Sequence, residues 1–127
     1  MPYTLIDIGA NLAHDSFDDD RDAMMQRAAE AGVATMIVTG SSDDSNVRAC
    51  ELAEAHPGIL FSTAGVHPHH ASDYNDASDS LIRELSARDE VVAIGECGLD
   101  FRKHLLPETD SKTRQLTFFE AQLGLAE

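Results

Sequence analysis

Apolar and polar positions fall in blocks along this chain rather than alternating residue by residue. Four short apolar or β-branched runs each close on a glycine: Thr4 to Gly9, Thr35 to Gly40, Ile59 to Gly65 and Val91 to Gly95. Continuous runs of this kind suit strands buried on both faces. Helical spacing fills the intervals. The acidic Asp18-Asp19-Asp20 suits a helix N-terminus, with Met24, Ala28 and Ala31 on one face and Gly32 as the stop. Ser42-Asp43-Asp44 opens a second helix, with Val47, Cys50 and Ala53 inward and His56-Pro57-Gly58 closing it. Ser78 or Asp79 opens a third, carrying Leu81, Ile82 and Leu85. A fourth runs from about Ser111, with Leu116, Phe119 and Leu123 on one face.

Strands alternating with helices of this length predict βαβ units and a parallel sheet. The strand-ending glycines recur about every 29 residues, so eight units would need on the order of 230 residues, close to a (β/α)8 barrel. This chain of 127 residues holds four. The pattern therefore predicts an α/β fold, either a small open sheet or the first half of a barrel, with residues 1–127 as a single domain.

Composition narrows the function classes. An apolar content of 43% excludes disorder. No apolar run approaches the ~18 residues that span a bilayer, and MPYTLIDIGANL carries no basic segment ahead of an apolar one. Cys50 and Cys97 lack the spacing of a disulfide framework or a zinc ribbon. A reduced cytoplasmic protein with no membrane partner is expected. The net charge of −14 argues against a diffuse basic surface for nucleic acid. It leaves room for a nucleic-acid substrate, because a divalent cation can dominate the charge of one site.

Residues able to do chemistry gather just past the strand ends, where parallel α/β folds bind ligands. Asp7, Asn11 and His14 belong to the first run; Gly65-Val66-His67-Pro68-His69-His70 follows the third; Gly95-Glu96-Cys97-Gly98-Leu99-Asp100 follows the fourth. A carboxylate at the end of an apolar strand must be solvated, paired or metal-bound, and Glu96 is the leading candidate for a metal or catalytic role. Asp100 can orient a histidine or simply hold its loop. His67 can bind metal, contact phosphate or shuttle protons; His69 divides evenly between function and loop, and His70 reads as loop. His14, His56 and His104 read as surface residues, His56 as a helix C-terminal dipole partner. Ser41 and Ser42 read as capping residues rather than an anion site. Cys97 reads as a packing residue without a base.

Four segments resemble the TatD family of metal-dependent deoxyribonucleases: Asp7-Ile8-Gly9-Ala10-Asn11-Leu12, Gly32-Val33, Ser62 to His69, and Val92 to Asp100. The resemblance implies a (β/α)8 barrel with divalent metal at its mouth, where an activated water attacks a phosphodiester of DNA. It implies Glu96 as a metal ligand, His67 as a catalytic residue of the mouth, and Asp100 as a catalytic residue acting behind the metal. Asp7, Asn11 and His69 are then secondary ligands or substrate contacts. Where many members carry a His-x-His pair this chain has Gly9 and Asn11, which favours Mg²⁺ or Mn²⁺ over Zn²⁺. The family's later ligands, on strands five, six and eight, have no counterpart within residues 1–127. The resemblance thus implies a deoxyribonuclease half-barrel, impaired by itself and dimeric or aggregating. The alternatives are an inactive self-associating remnant and a hydrolase of a small phosphoester or amide.

Overall fold

The computed structural model describes residues 3–102 and 111–127, so the expectation for His104 lies outside the described residues. Among them the chain alternates β1 (Leu5–Ala10), α1 (Arg21–Glu30), β2 (Val33–Val38), α2 (Asp43–Ala55), β3 (Leu60–Ala64), α3 (Asp76–Ser86), β4 (Val91–Ile94) and α4 (Ser111–Leu125). Short 3₁₀ turns cover Asp15–Phe17 and Pro68–Asp73. The strands form one sheet in the order β1-β2-β3-β4, every neighbouring pair parallel. Each connection returns the chain to the same end of the sheet, so the loops after the four strands share one rim.

Capping sets the helix starts. Ser42 accepts from the Ser45 amide while Ser45 accepts from that of Ser42, a reciprocal cap that opens α2 where the sequence predicts. The third helix begins earlier than predicted. Asn75 is its cap, accepting from the amides of Ala77 and Ser78, and Ser78 is the partner inside the first turn. Gly32 closes α1 at φ 94°, a conformation that favours glycine.

Two apolar clusters form the core. Leu12, Met36, Val38, Ala49, Ala53 and Leu60 pack where α1 and α2 cover β2. Ala64, Val66, Tyr74, Ile82 and Leu85 form the other, with Phe118 and Leu125 of α4 against it. Burial on both faces, expected of all four strands, does not hold at the edges. Leu5 is 51% exposed, Ile8 79% and Val92 49%. The helices cover one side of the sheet, and among the described residues no layer covers the other. The inward face of α4 also differs from expectation: Leu116 and Leu123 are exposed, whereas Gln115, Phe118, Gln122 and Leu125 turn inward. Two glutamines are buried there because the loops they meet present backbone N–H and C=O groups.

Candidate functional site

The ends of β3 and β4 meet backbone to backbone. A Cβ on Gly65 would lie 2.7 Å from the carbonyl carbon of Gly95, so only glycine permits this approach. The ladder continues past the strands. Gly95 N–H donates to Ala64 C=O (3.0 Å), Glu96 N–H to Gly40 C=O (2.7 Å), and His67 N–H to Ser41 C=O (2.9 Å). The loops after β2, β3 and β4 are thereby tied together under Glu96 and His67.

His67 caps the 3₁₀ turn that follows it. Its Nδ1 accepts from the His69 amide at 3.0 Å, and its Nε2 lies 3.5 Å from Glu96 Oε1. A neutral imidazole has one N–H. With Nδ1 occupied as acceptor, that hydrogen sits on Nε2, the ring nitrogen beside the Glu96 carboxylate. Burial pushes the His67 imidazole below its ordinary range against the charge of Glu96, and His69 and His70 add to the effect. His67 is therefore neutral at pH 7, a hydrogen-bond donor at the rim.

The His69 ring meets His67 edge on, centroids 4.2 Å apart. Its Nε2 lies 3.0 Å from Asp100 Oδ2. Asp100 also takes a forked contact from Arg102, Nε to Oδ1 at 2.9 Å and Nη2 to Oδ2 at 2.6 Å. Arg102 first and His69 second hold the Asp100 carboxyl well below the usual carboxylate range. It stays an acceptor, and His69 must be the donor. The Cys97 thiol is pushed up by burial and by Glu96, which suits packing rather than nucleophilic attack.

The structure brings Glu96, His67, His69 and Asp100 into one chain of contacts. It leaves Asp7 and Asn11 at β1, the opposite edge of the sheet, separated from β4 by three strand spacings or about 14 Å of sheet. Asp7 Oδ1 there accepts from the Gly9 amide at 3.0 Å. His14 caps the Asp15–Phe17 turn, and His56 Nδ1 lies 3.0 Å from Leu52 C=O at the end of α2. Among the described residues no three His, Cys, Asp or Glu side chains converge as a metal cage. Sequence reasoning missed Asn46, Gln115 and Gln122, three buried amides behind these loops. For Asn46 the available signal was its helical spacing with Cys50 and Ala53; the two glutamines of α4 carried none.

The family model described as TatD related DNase matches residues 6–127. The 3'-5' ssDNA/RNA exonuclease TatD of Pantoea vagans (strain C9-1) is 47% identical over 122 residues, covering 96% of this chain and 45% of that protein. The same-named protein of Rahnella sp. (strain Y9602) is 46% identical over the same shares. Among solved structures, YJJV, a TatD homolog from Escherichia coli k12, superposes with TM-score 0.81 at 33% identity, over 96% of this chain and 46% of that one. A hydrolase TatD family protein from Entamoeba histolytica gives TM-score 0.81 at 31% identity, over 96% and 45%. The chain thus spans somewhat under half the length of the relatives it matches.

Proposed function

The chain belongs to the TatD related DNase family, and on that premise we propose that it serves metal-dependent hydrolysis of phosphodiester bonds in DNA, single-stranded as in the relatives' names. The observation that carries this reading is the placement of Glu96 Oε1 beside His67 Nε2, 3.5 Å apart, on the rim. A nuclease site needs a carboxylate to hold a cation and a donor to hold phosphate oxygen, and the rim offers both.

The donor set suits a hard, loosely held cation. Glu96 is half exposed, with carboxylate oxygens that Mg²⁺ or Mn²⁺ prefers, and one carboxylate is too few for tightly bound Zn²⁺. A cation held there supplies charge neutralisation at the phosphate and a lowered pKa for water. His67 donates from Nε2 to a phosphate oxygen, and its neutral state preserves that role at pH 7. His69 is fixed by Asp100 as a second contact. Asp100, locked by Arg102, remains ionised and sets the direction of the His69 ring. Asp7 and Asn11 serve on the far edge as further substrate contacts or ligands when the sheet closes.

With a charge of −14, the protein approaches DNA through the cation and these imidazoles, not through a basic surface. Cys50 and Cys97 are free thiols, consistent with a reducing cytoplasm. No helix among the described residues is long and apolar enough to cross a membrane. Residues 1–127 form one half-barrel domain, which taken by itself would pair with a second copy through its open sheet edges.

The test is an end-labelled single-stranded oligonucleotide incubated with the chain and Mn²⁺ or Mg²⁺. Slow shortening that EDTA stops is expected. No shortening at any concentration of either metal would overturn the reading. Cleavage of bis-p-nitrophenyl phosphate with DNA left intact would point to a small phosphoester substrate instead.

A further inference from the structure

Three buried side-chain amides stand behind the site loops, and each grips both backbone groups of one residue. Asn46 of α2 donates from Nδ2 to Gly65 C=O (2.9 Å) and accepts Gly65 N–H on Oδ1 (3.1 Å). Gln122 of α4 accepts Val66 N–H on Oε1 (2.7 Å) and donates to Val66 C=O (3.2 Å). Gln115, two turns earlier on α4, accepts Asp100 N–H (2.7 Å) and donates to Asp100 C=O (2.9 Å). They are 0%, 2% and 3% exposed.

A primary amide presents one acceptor and one donor, as the peptide group of a neighbouring strand does. Each grip therefore replaces a strand that these loop residues lack, and it sets position in two directions where a single bond would leave a pivot. Gly65 and Val66 lead directly into His67. Asp100 carries the carboxylate that fixes His69. The amides bond to neither imidazole; they act on them through the backbone of Val66 and of Asp100, whose carboxylate meets the His69 ring.

We propose that Gln115 and Gln122, with Asn46, are positioning residues: α4 sets the two imidazoles of the rim by gripping the backbone beside each. The proposal rests on the nuclease reading for what the imidazoles do, and on the hydrogen bonds alone for how they are held. A glutamine pair seven residues apart on one helix also makes α4 the common support of the loops after β3 and β4.

The test uses nitrogen-15-labelled chain and imidazole correlation spectra at about pH 8, where the proton-bearing nitrogen of each ring is read directly. In the unaltered protein both His67 and His69 give the single pattern of the Nε2–H form. Gln115→Met, nearly isosteric and apolar, is expected to turn the His69 pattern into a mixture while His67 keeps its own. Gln122→Met is expected to do so for both, because the His67 Nδ1 contact is to the His69 amide. A role confined to stability would lower the melting temperature and leave both patterns unchanged, and that result overturns the proposal. If Gln122→Met does not fold, Gln115→Met decides, since Asp100 sits beside exposed Leu99 and Phe101 where water can replace the amide. Oligonucleotide cleavage is measured on the same samples. Its absence in the unaltered chain counts against the nuclease reading and leaves the imidazole result to judge the positioning.

Discussion

Glu96 is half in water and its carboxylate lies beside His67, so removing its charge should cost little in folding. Glu96→Gln is expected to change stability by no more than about 0.5 kcal/mol. Divalent binding should nevertheless weaken ~10–100-fold or more, since even residues behind a ligand cost that much. Calorimetric titration with Mn²⁺ checks the second statement and thermal unfolding the first. Tyr74 offers a test of burial. Burial, with Asp79 beside its hydroxyl, pushes the phenol from 10.0 up to about 12. The folded state therefore keeps a proton that the unfolded chain gives up, so this contribution is intact below pH 10 and is lost as pH rises toward 12. Urea unfolding between those limits should show falling stability in the parent. In Tyr74→Phe, which keeps the stack on Phe118, that part of the slope should disappear.

At the scale of elements, the contact between the ends of β3 and β4 is the most constrained feature. Gly65→Ala places a methyl against Gly95 backbone atoms at 2.7 to 2.9 Å, and backbone cannot step aside as a side chain can. A loss of about 1–3 kcal/mol is expected, read as a lower denaturant midpoint. Because Glu96 follows Gly95 directly, metal binding should fall with it. The helix caps make a milder contrast. Asn75→Ala removes the acceptor for two amides at the start of α3 and should cost about 0.5–2 kcal/mol, with metal binding unaffected.

At the scale of the molecule, β1 and β4 are the two edges of a parallel sheet whose second face has no covering layer among the described residues. Neither edge segment contains proline or a positive charge to blunt further pairing. Pairing β4 of one copy with β1 of another, twice, would close an eight-stranded barrel through one symmetric interface. For residues 1–127 taken by themselves, light scattering is expected to find a dimer or larger species. Association should strengthen as salt rises toward ~0.15 M, where screening over ~8 Å relieves repulsion between chains of charge −14. A monodisperse 13.7 kDa species with cooperative unfolding would count against this.

Sequence alone determined the local order: four apolar runs ending in glycine, the helices between them, and the rim on which Glu96, His67 and Asp100 fall. Those features depend on backbone preference and burial period, which act over a few residues. Family motifs added the chemistry expected at the rim. Tertiary structure alone decided which polar groups meet. The pairing of His67 with Glu96 spans two loops, and that of His69 with Asp100 spans 31 positions. Gln122 reaches Val66 across 56. An amide on an amphipathic helix looks the same in sequence whether it faces water or a loop, and so α4 was predicted to turn Leu116 and Leu123 inward. What reversed the helix was the need of buried N–H and C=O groups at Val66 and Asp100 for partners, a requirement that exists only once the strands are side by side.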